Sequence, residues 1–194
     1  MIKIIFFEGL PGSGKTTMTK HLEDKYPFCI RIGEVIDSLG KEIPLEKHFG
    51  KNSNFFVKSD INKLKISKNS KNKIILIDRG FLSTLSHGFT RKIENKEKDF
   101  DFILKQFDKK LDFKNMELYY IFLKNTPKTS LRRSKHPPED IWGTEENLIK
   151  TELFYKIYFL FRKNVFVINS DKLPLAECKR RCEKIVLNIK KSIY

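Results

Sequence analysis

The chain has 194 residues, 40% apolar and 12% aromatic, with 39 Lys and Arg against 24 Asp and Glu for a formal net charge of +15. That length suits one domain with a substantial core, and the recurring apolar runs exclude a disordered chain. Three cysteines, Cys29, Cys178 and Cys182, exclude a disulfide framework, and the lack of a cleavage pattern or of about 18 successive apolar residues predicts a soluble, cytoplasmic protein with no membrane partner. The charge favours phosphorylated or polyanionic partners, nucleic acid among them. The lysines are nevertheless spread from end to end rather than gathered in one basic arm.

Strand and helix signals alternate along the chain. Ile2–Phe7 is a short β-branched and aromatic run, followed by a glycine-rich turn and a helix over about Lys15–Lys25. Phe28–Ile32 is a second strand candidate. Ile74–Asp78 is continuously apolar until its terminal acid, as a parallel strand covered on both faces should be. Phe100, Ile103, Leu104, Phe107 and Leu111 then form one apolar helical stripe. Leu118–Leu123 and Val165–Ile168 read as two more buried strands. Thr126-Pro127 is a helix start, and Thr144-Glu145-Glu146 opens a helix reaching about Arg162. Between Leu153 and Phe161 that helix is apolar nearly all round, which leaves core and homodimer face as alternatives. A last helix runs from near Pro174 to Lys191. On it Cys178 and Cys182 share a face as small core residues, with a metal pair the weaker alternative. The alternation predicts one doubly wound α/β domain.

The most specific signal is Gly9-Leu-Pro-Gly-Ser-Gly14-Lys15-Thr16, which satisfies G-x-x-x-x-G-K-[ST] between a strand and a helix. Gly9, Gly12 and Gly14 let the backbone curl so that its N–H groups face phosphate oxygens at a helix N-terminus. Lys15 is placed to reach the β- and γ-phosphates of ATP, and the Thr16 hydroxyl to ligate Mg²⁺. Pro11, Ser13 and Thr17 complete the candidate nucleotide-binding set. The strand Leu118–Leu123 leads into Lys124-Asn125-Thr126-Pro127, not N-K-x-D. Asp78 is followed by Arg79-Gly80 without a D-x-x-G switch. A GTPase is therefore disfavoured.

IILIDRGFLSTLSHGF, around Asp78-Arg79, resembles the Asp-Arg segment of thymidylate kinases and the related Glu-Arg-Ser segment of deoxynucleoside kinases. Glu34, in IRIGEVIDSL, falls where those families put an acid at the acceptor end of the substrate. Asn54–Lys65 resembles their pocket-walling helix, and Ser130–Trp142 their arginine-bearing lid. The resemblance spans nearly the whole chain. It implies a three-layer P-loop NTPase fold, a five-stranded parallel sheet with helices on both faces, over residues 1–194 with a lid near 130–145. It implies a Mg²⁺- and ATP-dependent kinase acting on a nucleoside or nucleoside monophosphate. Asp78 would hold Mg²⁺ directly or through water, and Arg79 an acceptor-side or transferring phosphate. Glu34 would act as base toward an acceptor hydroxyl or as a positioning carboxylate. Arg132 or Arg133 would clamp the triphosphate as the lid closes.

Candidate acceptor-pocket residues are Phe55, Phe56, Lys63, Phe81 and His87, with Phe55 or Phe56 suited to stacking on a base and Trp142 expected at the lid base. The chain departs from both families. Leu10-Pro11 stands where thymidylate kinases carry an acid, and Gln106 does not match the base-reading glutamine of deoxynucleoside kinases. Alternatives are a kinase for another hydroxyl, such as a polynucleotide 5′ end, a sugar or an antibiotic, and a non-catalytic ATP-binding regulator. No aromatic-and-basic strand face favours a nucleic-acid partner.

Overall fold

The computed structural model describes residues 1–44, 47, 52–70, 73–93, 98–134 and 136–191. Within these residues five strands, β1 (Ile2–Glu8), β2 (Cys29–Ile32), β3 (Ile74–Asp78), β4 (Met116–Lys124) and β5 (Val165–Asn169), pair in the order β2-β3-β1-β4-β5. Every pairing is parallel. Among the described residues seven helices lie between and after them: α1 (Lys15–Lys25), α2 (Ser53–Lys68), α3 (Phe81–Ile93), α4 (Lys98–Lys110), α5 (Pro127–Arg133), α6 (Glu145–Leu160) and α7 (Leu175–Lys191).

The pleat of the central strands separates two cores. Ile4 and Phe6 of β1 point to one side, with Ile75 and Ile77 of β3 and Tyr120 and Phe122 of β4, and meet apolar residues of α2, α3, α4 and α6. Ile5 and Phe7 point to the other, with Leu76, Ile121 and Ile168, and meet α1 and α7 through Met18, Leu22, Cys178, Cys182 and Val186. Both faces are therefore covered, which explains why the strands read as continuous apolar runs. Cys178 and Cys182 are core residues. Helix α6 divides its apolar surface: Leu148, Phe154 and Tyr155 are buried, while Ile149, Leu153 and Ile157 stand on an exposed side. No helix among the described residues is long and apolar enough to cross a membrane.

Helix α3 was not anticipated from the sequence, whereas α5 begins where Thr126-Pro127 marks a helix start. Helix α3 begins directly after Asp78-Arg79-Gly80, and α5 is only 7 residues long, capped by the Thr126 side chain on Thr129 N–H with Pro127 at its first turn. The register Phe7 opposite Asp78 brings the carboxyl ends of β1 and β3 level, and Glu8 pairs with Phe122 of β4. The loops leaving these three central strands consequently meet at one edge of the sheet, where ligands of open α/β folds bind.

The turn after β3 has no room to spare. A Cβ on Gly80 would sit 2.4 Å from Cδ1 of Phe6, whose ring is held by Phe81 at 5.4 Å and Tyr120 at 5.5 Å. Gly80→Ala is expected to destabilise the protein by about 1–3 kcal/mol, as overpacking does. Urea unfolding checks this, and an unchanged midpoint would show that the ring can yield.

Candidate functional site

The phosphate loop leaves β1 at Gly9 and enters α1 at Lys15. Gly9, Gly12 and Gly14 have φ of 143°, 69° and 98°, backbone that favours glycine and lets the loop wrap inward. Lys15 Nζ folds into this wrap and donates to the carbonyls of Gly9 (3.0 Å) and Leu10 (2.8 Å) and to Ser13 Oγ (3.1 Å). Burial, reinforced by the Arg79 charge, pulls its ammonium down to about 7. An anion in the loop would restore the charged form.

The segment after β4 locks the loop from outside. Asn125 Nδ2 and Ser130 Oγ both donate to the Pro11 carbonyl, at 3.3 and 2.8 Å. A Cβ on Gly12 would lie 2.7 Å from Cβ of Arg133, so α5 rests against the loop at that arginine. Arg133 also approaches Asp171 (3.8 Å). Arg132, Arg133 and Thr17 are all exposed, and the contact with Gly12 is what sets Arg133 apart from Arg132. Of the two adjacent arginines, Arg133 is thus the one seated on the phosphate loop.

Asp78 ends β3 beside α1. Arg31 Nη2 of β2 donates to its Oδ2 at 3.3 Å, and the neighbouring Thr16 hydroxyl favours the ionised carboxylate. Arg31 is in turn held by Glu42, Nη1 to Oε2 at 2.7 Å and Nη2 to Oε1 at 2.8 Å, so one guanidinium ties the loop after β2 to the end of β3. Burial and the nearby Glu34 charge raise the Asp78 pKa. Its Oδ1 is buried without a hydrogen-bond partner among the described residues. An orphaned carboxylate oxygen next to a threonine hydroxyl fits Mg²⁺, which takes few protein ligands and keeps its remaining positions for water and phosphate.

Arg79 joins this half to a second one. Its backbone is left-handed, with φ 56°. Nη1 donates to the Gly9 carbonyl (3.2 Å), and Nε lies 2.7 Å from Glu34 Oε1. The guanidinium carbon stands 4.8 Å from the centre of the Trp142 ring. Burial opposes its charge, but Glu34 and the other carboxylates nearby outweigh that and hold it protonated. Lys63 of α2, itself buried, donates to the carbonyls of Arg79 (2.7 Å) and Glu34 and to Asp60 Oδ1 (3.1 Å).

Beyond Arg79 opens a cavity of about 460 Å³. Glu34 and Arg79 stand at its phosphate-loop end. Its wall includes Phe56, Asp60 and Lys63 of α2, Thr84 and His87 of α3, and Asp140 and Trp142 of the turn before α6. Rings follow one another around it: Phe56 to His87 at 6.3 Å, His87 to Trp142 at 5.7 Å, Trp142 to His136 at 5.6 Å. Burial takes His87 down to about 4, so it is neutral at pH 7. Asp60 accepts from Thr84 Oγ1 (2.7 Å) as well as from Lys63, and burial raises its pKa.

The structure therefore brings together Gly9, Lys15, Thr16, Glu34, Asp78, Arg79 and Arg133 at one sheet edge, with Phe56, Lys63 and His87 in the adjoining cavity. Phe55 packs edge-on to Phe56 and does not line the cavity. Phe81 belongs to the core, between Phe6, Phe107 and Phe113. His87 lies within α3. The residues that sequence reasoning missed are Arg31, Asp60, Thr84 and above all Glu8. Glu8 is fully buried and accepts from Gly80 N–H (2.9 Å), Ser83 Oγ (2.7 Å) and Tyr155 OH (3.0 Å). An acid closing a buried apolar run was the available signal.

No family model and no curated protein matches the chain. Solved structures do. Deoxyadenosine kinase from M. mycoides with bound dATP superposes with a TM-score of 0.72 at 18% identity, covering 96% of this chain and 99% of that one. The same kinase with bound dCTP gives 0.60 at 19% identity, covering 98% and 100%. Thymidylate kinase from Candida albicans gives 0.70 at 14% identity, covering 97% and 92%. The chain thus has the α/β P-loop fold of this kinase group over nearly its whole length.

Burial pushes the Glu8 carboxyl up from 4.5 to about 7, against the hydrogen bonds from Ser83, Gly80 and Tyr155. Between those pH values the unfolded chain releases the proton that the folded chain retains. Stability from this group is therefore complete below about 4.5 and falls as pH rises through about 7, by roughly 3 kcal/mol at most. Glu8→Gln, neutral throughout, should flatten that decline in unfolding free energy measured from pH 4.5 to 7.5. An unaltered slope would mean that Glu8 is ionised across the range.

Proposed function

We propose that the chain is a Mg²⁺-ATP-dependent kinase that transfers the γ-phosphoryl group to a nucleoside or nucleoside monophosphate, residues 1–194 forming one kinase domain whose lid spans 130–145. The observation that carries the reading is the Arg79–Glu34 pair at the seam between phosphate loop and cavity. It sets a carboxylate and a cation where donor and acceptor would meet. The fold shared with a deoxyadenosine kinase and a thymidylate kinase supports the same class of reaction, and the ring-lined cavity suits a flat heteroaromatic base.

In this reading the loop N–H groups and Lys15 cradle the triphosphate, and Thr16 and Asp78 hold Mg²⁺. The metal, when bound, neutralises charge on the phosphate oxygens. Arg133 closes on the triphosphate from α5. Arg79 faces the transferring group, and Glu34 accepts the proton of the attacking hydroxyl.

A free nucleoside hydroxyl is favoured over a monophosphate as acceptor. Each cation at that end is already held: Arg79 by Glu34 and Gly9, Lys63 by Asp60 and two carbonyls, Arg31 by Glu42 and Asp78. A phosphate dianion would meet the Glu34 carboxylate, whereas a hydroxyl can donate to it.

ADP release from Mg²⁺-ATP against nucleosides, nucleoside monophosphates and a 5′-hydroxyl oligonucleotide tests the assignment. The expected result is stimulation by one or a few nucleosides, with at most weak stimulation by monophosphates. Stimulation by the oligonucleotide alone, or by nothing while ATP binds, overturns it. With an active nucleoside, Glu34→Gln should lower kcat by about 10²–10⁴-fold while changing nucleoside affinity little, as loss of a general base does.

A further inference from the structure

The lid turn meets the acceptor cavity rather than the phosphate loop alone. His136, Pro137, Asp140, Ile141 and Trp142 all line that cavity. The turn is held by its own backbone. Asp140 N–H donates to the Pro137 carbonyl (2.9 Å), Gly143 N–H to the Asp140 carbonyl (2.8 Å), and Trp142 N–H to Asp140 Oδ1 (2.9 Å). Packing leaves it no slack: a Cβ on Gly143 would lie 2.0 Å from the Pro137 carbonyl oxygen. This preformed turn presents the indole of Trp142 to Arg79 at 4.8 Å and to His87 of α3 at 5.7 Å.

We propose that Trp142 is a positioning residue for the acceptor half of the site: its indole face holds the Arg79 guanidinium, and the lid turn it anchors roofs the acceptor cavity. The proposal rests on the kinase reading above for its kinetic consequences, though not for its geometry. Besides the ring, two groups hold the Arg79 guanidinium: the Gly9 carbonyl accepts from Nη1, and the Glu34 carboxylate lies 2.7 Å from Nε as an ion pair without hydrogen-bond alignment. Neither prevents the plane from swinging out of the pocket. The indole lying under the guanidinium carbon at 4.8 Å does, and in a site shielded from water a cation–ring contact is strong enough to hold a side chain in place. The wall that Trp142 supplies is also flat, so the same residue limits the thickness of what the cavity admits. The lid accordingly acts on the acceptor through Trp142 and on the triphosphate through Arg133, from two ends of one segment.

Steady-state kinetics of Trp142→Ala and Trp142→Phe, with a nucleoside that the wild type phosphorylates, distinguish positioning from mere packing. In Trp142→Ala acceptor KM should rise about tenfold while ATP KM stays within about twofold, and Trp142→Phe should recover most of the loss. Equal rises in both KM values, or no rise in either, overturn the proposal. A second measurement needs no turnover. Trp142 is the chain's single tryptophan, so its emission reports the roof alone. In Arg79→Met the emission should shift to the red and acrylamide quenching increase as the roof loses its cationic partner. Unchanged emission and quenching overturn the contact. A wild type inactive on every nucleoside, with this spectral change present, would remove the kinase reading and leave the contact standing.

Discussion

A buried arginine with a left-handed backbone is the piece on which the rest of the site hangs. Arg79 touches the glycine-rich loop through Gly9, the loop after β2 through Glu34, helix α2 through its carbonyl and Lys63, and the turn before α6 through Trp142. Four segments distant in sequence thus converge on one residue. Its φ of 56° is uncommon for a residue with a Cβ and costs on the order of 1 kcal/mol, so the surrounding contacts must over-determine it. They do: the peptide beyond it is held by Glu8 through Gly80 N–H, and its own carbonyl by Lys63.

The site is built largely from buried charge, most of it held in ion pairs. Arg31 bridges Glu42 of the loop after β2 and Asp78 of β3, and Lys63 pairs with Asp60 within α2, so that removing Arg31 or Lys63 would strand the buried carboxylate of Asp78 or Asp60 in a low-dielectric setting. Glu8 and Lys15 differ. Burial moves both toward about 7, the acid from below and the base from above. Glu8 is satisfied by three donors and is best suited to holding a turn. Lys15 has only carbonyls and a hydroxyl for company, an arrangement completed by an anion.

Much of the fold was legible because parallel strands covered on both faces must be apolar throughout. Ile74–Asp78 was read with its observed bounds, and β4 proved longer at both ends because its first residues are half-buried at the sheet margin. The phosphate loop was legible because its glycines and Lys15-Thr16 obey a fixed spacing. Helix α3 was not, since its first turn carries no cap signal and continues directly from Gly80. The cavity was legible only in part. Phe55, Phe56 and Phe81 have the same chemistry, and their fates, flank, wall and core, depend on helix rotation that a sequence of mixed apolar residues does not fix. Glu34 and Arg79 were marked by resemblance, whereas their 2.7 Å contact and the ring over Arg79 are products of tertiary folding. Arg132 and Arg133 were indistinguishable until Gly12 was seen to pack against Arg133.

If Arg79 is shared between donor and acceptor halves, occupation of one half must alter the other. Titration of nucleoside into the protein with and without a non-hydrolysable ATP analogue and Mg²⁺ measures this coupling directly. The account predicts that the analogue changes nucleoside affinity by about fivefold or more in the wild type, and that Arg79→Met abolishes the change. Nucleoside affinity independent of the analogue in the wild type, or a coupling that survives the loss of Arg79, would contradict it.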